Sequence, residues 1–362
     1  MTYFILFLIS RILECNSKIN FMKTKSLLLL TILGMVILSP INAQTVKKEK
    51  LKFGGYGQKK FNKAGKKIFI EQFNISYQFI YAKTKKTRGG RQMGGGYLGD
   101  SKAALFLGLD GIKTEELQKL TNDTYTDFTL QLQAKGYTIL TGEDFKNHTY
   151  YKDAKLFEGG TPNEYFKGFI STSPEGVAFL NKEYTDFNTT LKTSKQLDGV
   201  VIARINVIIP FAEDGESQGS RAFGKLLGGV SKVVAKPNLR IGSSTIQTKS
   251  KLGFDKYNTV STNFDIGFYT SLKYQAWQTA KPKKAIEISG VLPEKKYKAV
   301  KTASQDLNGT QAGNYKVFNI PSSEIEKMQL ISFEGTKYYK GVKEGLTYFI
   351  KSSTNKFLSN VK

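Results

Sequence analysis

The sequence predicts an α/β (α+β) fold: a strand-helix-strand-helix-strand core, an antiparallel strand meander, and a C-terminal amphipathic helix. Three observations predict it. Residues 66–81 (KKIFIEQFNISYQFIY) and 200–211 (VVIARINVIIPF) are long runs rich in β-branched and aromatic residues, the composition of buried strands. Between them, residues 113–135 place Leu117, Leu120, Tyr125 (or Thr124), Phe128, Leu132 and, less regularly, Leu130 at helical spacing. Beyond residue 212, short strand-like runs alternate with turn residues.

The elements follow in order. Residues 44–65 are polar and rich in lysine and glycine, and read as a flexible leader to an α/β domain spanning 66–362. The 66–81 strand opens that domain, and 101–109 (SKAALFLGL) is a short buried segment. The 113–135 helix takes Thr114 as cap, with Glu115 and Glu116 favouring the helix dipole. Gly136 ends it, and Tyr137 to Leu140 form the next strand. A second helix is expected over 173–194, capped by Ser173 with Pro174 in its first turn and Val177, Leu180, Tyr184, Phe187 and Leu191 on one face. The 200–211 strand follows, with Pro210 suiting its exit. A polar, glycine-rich stretch near 212–230 holds a short helix at 220–227 and marks a place where the domain divides into 66–211 and 230–362. Strands are then expected at 230–235, 239–248, 264–277, 285–292 and 315–320, and a last helix at 335–352.

The N-terminus carries a different signal. From Met22 to Ala43 the chain reads MKTKSLLLLTILGMVILSPINA: a basic start, an apolar run, and a small-residue exit before Gln44. This is the pattern of a cleaved secretory signal peptide, and it makes residues 1–21 an extension before the true start. The competing reading is an uncleaved anchor or a pair of short membrane helices, for which Pro40 and the small-residue exit are less suited. Cleavage after Ala43 removes Cys15, the sole cysteine, so the mature chain has no disulfide, no thiolate metal site and no cysteine lipid anchor. The expected location is the periplasm, outer membrane surface or exterior of a Gram-negative bacterium.

The formal net charge is +24. Spread lysine favours a solvated surface; the sharper reading is attraction to an anionic envelope component, with peripheral membrane contact included and nucleic acid excluded as partner. Charge is densest at Lys83, Lys85, Lys86, Arg88 and Arg91, which run into Gly94, Gly95 and Gly96. This reads as a basic loop and gives the anion-contact candidates. It lacks the Gly-Lys-Ser/Thr of a phosphate loop.

Gly136-Tyr137-Thr138-Ile139-Leu140 and the run from Asp198 to Ile205 (DGVVIARI), placed after a KKIFIEQF strand, resemble the periplasmic α/β domain of the curli secretion-channel family and the TolB N-terminal domain. The match covers residues 66–210. It implies an envelope protein that works by binding or assembly, with no enzymatic activity and no cofactor. The missing lipidation cysteine and the added basic segment depart from the pattern and put pore formation in doubt.

Candidate chemistry is sparse. The single histidine, His148, excludes a two-histidine metal site and reads as a loop residue. Glu213, Asp214 and Glu216 are clustered carboxylates that could hold a cation, or a solvated turn; no metal site is expected. Phe169-Ile170-Ser171-Thr172-Ser173 resembles the Ser-Thr-Ser strand of ADP-ribosyltransferases. That resemblance implies an alternative NAD site of Arg88 (or Arg91), Ser171, Ser173 and Glu216, although the spacing from Glu213 to Glu216 is one residue too long. The simpler reading makes Ser173 a helix cap.

Overall fold

The computed structural model describes residues 44–87, 90–91, 97–98, 101–160, 168–181, 190–215, 233–243, 246–249, 257–299, 310–312, 315–317 and 328–361. The α+β class holds, and residues from Gln44 onward cluster as one compact unit, without a division near 212–230. The 220–227 helix expectation lies outside the described residues.

Residues 44–65 are not a loose leader. Thr45–Val46 pairs antiparallel with residues 288–289, and β1 (Leu51–Tyr56) pairs along 277–282. A 3-10 turn at Gln58–Lys63 then buries Phe61 against Phe268 and Phe357. Half of residues 44–65 are lysine or glycine, a composition as compatible with an edge strand, where one side faces water, as with a loose leader.

The 66–81 strand divides at Phe79 into β2 (Lys67–Gln78) and β3 (Ile80–Thr87). The Phe79 and Ile80 amides both donate to Gly168 O, at 2.8 and 3.0 Å, which turns the chain from one sheet to the next. β3 pairs antiparallel with β4 (Ser101–Asp110) along its whole length. The basic segment is therefore mainly strand: Lys83, Lys85 and Lys86 occupy ladder positions opposite Leu105, Ala103 and Lys102, and Arg91 pairs with Tyr97 in a two-residue ladder. Thr84 and Thr87, β-branched and interleaved with the lysines, favour extension over a loop.

Helix α1 (Thr114–Gln133) forms where expected, but its N-cap is Lys113, whose amide donates to Glu116 Oε2 at 2.9 Å; Thr114 is already helical. Gly136, at φ +79°, turns the chain into β5 (Thr138–Leu140), which runs parallel to the start of β2.

The second predicted helix is the main correction. After β6 (Lys155–Glu158) and β7 (Phe169–Thr172), residues 174–177 make a turn with Gly176 at φ +71°, and β8 (Ala178–Asn181) pairs antiparallel with β6. Consecutive Phe179 and Leu180 are both buried, in different clusters, as alternating strand faces allow and a one-sided helix does not. Only α2 (Thr190–Gln196) is helical; residues 182–189 lie outside the described set. Ser173 therefore caps no helix.

β9 (Val201–Ile209) runs parallel to β2 over nine pairs, from Val201 opposite Ile68 to Ile209 opposite Tyr77. The expected 264–277 strand is a hairpin, β10 (Asn263–Tyr269) and β11 (Gln275–Pro282), closed by Tyr274 N–H donating to Ser271 O at 3.0 Å. Among the described residues the central sheet has seven strands, in the order β7–β2–β9–β10–β11–β1, with β5 sharing β2's outer edge with β7. From β9 outward the pairing is antiparallel, as expected of a meander. β12 (Gln329–Ser332) adds a parallel strand to β4, and α3 (Gly335–Leu358) extends six residues beyond the predicted helix.

Helices α1 and α3 cover one face of the central sheet. There Phe73, Phe128, Phe264, Phe268, Phe349 and Phe357 are fully buried. α2 and the paired strands β6 and β8 lie over the other face, with a smaller cluster of Phe69, Tyr151, Leu180, Leu197 and Ile202.

Candidate functional site

The second sheet face carries the chemistry, and one irregularity puts it there. β2 and β9 stay in register through Ile70 opposite Ala203, then resume with Gln72 opposite Arg204. Glu71 is the extra residue of a β-bulge. The bulge inverts the alternation of β2: Ile68 and Ile70 point into the aromatic core before it, and Phe73, Ile75 and Tyr77 after it. Glu71 and Gln72 are both released to the other face, beside Arg204.

Arg204 and Glu71 form a buried ion pair, Nε to Oε2 at 2.5 Å, with Arg204 8% and Glu71 1% exposed. The Tyr151 hydroxyl donates to Glu71 Oε1 at 2.6 Å, and Arg204 Nη2 donates to Thr193 Oγ1 on α2 at 2.9 Å. Asp265 of β10 lies directly across from Arg204. Burial pushes its carboxyl up to about 6, against the opposing pull of Arg204 and a hydrogen bond from Thr190 at the start of α2; Glu71 adds to the rise. Two carboxylates thus share one guanidinium beneath a short helix. The fully ionised cluster is one charge negative, and a proton on Asp265 neutralises it.

Further along the face the groups are uncharged. Ser173 Oγ donates to Asn74 Oδ1 at 2.7 Å, Asn74 Nδ2 to Asn206 Oδ1 at 3.2 Å, and Asn206 Nδ2 to Gln72 Oε1 at 3.3 Å. These three amide side chains are half-buried. Ser76 and Ser171 hydroxyls bond each other at 2.6 Å.

The residues singled out from sequence fall in several places. Ser171 is buried on β7 and engaged by Ser76; Ser173 is held by Asn74 through its hydroxyl and by Gln118 Nε2 through its carbonyl, at 2.8 Å. Both hydroxyls are buried and hydrogen-bonded to side chains of β2. Arg88 and Glu216, their expected partners, lie outside the described residues. Lys83 is no open anion contact: it is ion-paired with Asp214. Glu213 pairs with Lys236 at 2.8 Å and approaches Arg240 at 3.9 Å, so these two carboxylates are neutralised by lysine and arginine. Among the described residues no cluster of three or more His, Cys, Asp or Glu side chains is placed to hold a metal ion. His148 precedes a 3-10 turn and its Nδ1 accepts the Tyr150 amide at 3.2 Å.

The central charged cluster escaped the sequence reading. A signal was present: Glu71 and Arg204 each interrupt an apolar, β-branched run that is otherwise buried, where an unpaired charge would not be tolerated. That pairing requirement points from one strand to the other.

No protein-family model, curated protein or solved structure significantly matches the chain.

Proposed function

We propose that this is an exported bacterial cell-envelope protein with a binding or assembly role and no enzymatic activity. The carrying observation is where the folded unit begins. Gln44, the first residue after the predicted cleavage at Ala43, is also the first residue of the compact unit. Its side chain packs beside Gly341 of α3, and Thr45 and Val46 join the 286–289 strand at once. Cleavage after Ala43 leaves each of these contacts in place. The hydroxyls and carboxylates of the polar sheet face bond one another, a rigid arrangement that suits recognition better than nucleophilic attack. The α/β order of the resembled curli secretion-channel and TolB domains agrees with this reading.

The test is to express the full chain in a Gram-negative host, fractionate it, and sequence the N-terminus of the product. Recovery from the periplasm or outer membrane with Gln44 or a near neighbour at the N-terminus is expected. Retention of the uncleaved chain in the cytosol overturns the proposal.

A further inference from the structure

A groove of about 570 Å³ runs along the outward side of α3, between that helix and the N-terminal segment. Its walls include Lys48, Lys340, Lys343 and Lys351, with Tyr339 and Tyr348 among them. The one lining acid is Glu344, 3.8 Å from Lys48. The two walls are tied together: the Tyr348 hydroxyl donates to Glu49 O at 2.9 Å. Lys343 and Tyr339 are fixed from α1, since Asp123 Oδ2 accepts from both, at 2.9 and 2.7 Å. Lys340 and Lys351 remain exposed with no ion pair among the described residues. They are eleven positions apart, about 16 Å along a helix at 1.5 Å per residue.

We propose that this groove binds a linear anionic glycan, a chain of acidic sugars several residues long. The spacing of Lys340 and Lys351 suits an extended chain with repeated negative charge better than one small anion. Tyr339 and Tyr348, anchored by their hydroxyls, offer ring surface on which the apolar faces of sugar rings can pack. A membrane surface fits less well. The groove is concave, and the large hydrophobic side chains exposed on the described surface (Phe53, Tyr56, Leu130, Leu156, Leu272, Tyr274 and Leu330) include none on α3 that could enter a bilayer. The proposal rests on the envelope reading only for where the glycan is met. Binding by the purified protein stands or falls separately from export.

The experiment titrates purified protein beginning at Gln44 with polygalacturonate, using neutral dextran and phosphatidylglycerol vesicles in parallel, at two salt concentrations. Polygalacturonate is expected to bind, and to weaken roughly tenfold or more between 50 and 200 mM salt, as bound counterions compete. The K340Q/K351Q double variant is expected to lose at least tenfold in affinity at unchanged thermal stability, both side chains being exposed. K135Q/K152Q, which removes the same charge elsewhere on the exposed surface, is expected to bind as the parent does. Absence of binding to polygalacturonate, equal binding to neutral dextran, equal losses in the two double variants, or an unaffected K340Q/K351Q variant would each overturn the proposal.

Discussion

The two faces of the central sheet are built from the same strands by opposite means. On the face toward α1 and α3, Phe73, Ile75 and Tyr77 of β2 meet Phe128, Phe264 and Leu346 in an aromatic and aliphatic core. Its polar groups are uncharged, and several are paired locally: the Tyr77 hydroxyl bonds Thr121 Oγ1 at 3.2 Å and Leu117 O at 3.4 Å, Thr121 bonds Thr172, and Gln278 Nε2 donates to Ser353 O of α3 at 3.3 Å. On the face toward α2, a buried ion pair, a second carboxylate and a row of amides take the place of apolar packing. Apolar packing tolerates change in proportion to area lost. A charged cluster in low dielectric is asymmetric: losing its one cation strands the carboxylates, whereas losing the surplus carboxylate relieves it. The β2 bulge supplies both faces, by turning Phe73 toward the first and Glu71 toward the second.

Four substitutions test that contrast, in descending order of effect. Arg204→Met leaves the buried Glu71 and the half-buried Asp265 without a cation, and is expected to destabilise by about 3–5 kcal/mol in urea unfolding. A loss under 1 kcal/mol would mean the cluster is not buried as described. Asp265→Asn acts in the opposite direction. The Asp265 carboxyl is raised to about 6 in the folded protein from an ordinary value of 3.8. Its contribution to stability is therefore full below 3.8 and lost as pH rises through 6. The parent should gain stability on acidification from pH 7 toward 5 at this site, and the variant should be more stable than the parent at pH 7.5 by about 2 kcal/mol, converging with it near pH 4. Comparing urea midpoints of the two proteins across that range isolates the group, and a parent that stays the more stable at pH 7.5 contradicts the assignment.

On the apolar face, Tyr77→Phe removes a hydroxyl bonded to Thr121 while keeping the ring. About 1 kcal/mol is expected, visible as a small drop in melting temperature. The smallest effect belongs to the surface. Asp123, held by Lys343, Tyr339 and Lys119, has its carboxyl lowered to about 2 against the upward push of burial. Its stabilisation is present above 3.8 and fades as pH falls toward 2. Because the site is largely solvated, Asp123→Asn should cost only about 0.5–1 kcal/mol, and 0.5 M salt should shrink that difference.

The structure also shows which parts of the site could be read from residues alone. The strands that carry Glu71 and Arg204 were legible as strands. Their side-by-side parallel pairing agrees with the strand-helix-strand order, which needs a crossover between parallel neighbours. Asp265 was not legible as a member of the same cluster. Its strand reads as one amphipathic run to Trp277, and only the turn at residues 270–274 and the β9–β10 register bring it opposite Arg204. The serines of the FISTS segment illustrate the reverse error. Their local pattern suggested a helix cap or a ligand site, whereas pairing with β2 gave both hydroxyls partners within the sheet.

What the sequence by itself determined are the elements whose apolar period is carried by a long run of residues: the strands at β2 and β9, the helices α1 and α3, and, in shorter runs, the meander. Such periods depend only on which residues a strand or helix turns to one side, and that is a local property. The tertiary structure alone decided three other things. It docked residues 45–56 onto the edges of two sheets, turned the first part of the predicted second helix into β8 paired with β6, and inserted a bulge at Glu71. Each follows from pairing between segments distant in the chain, where backbone hydrogen bonding and partner charge outweigh local preference.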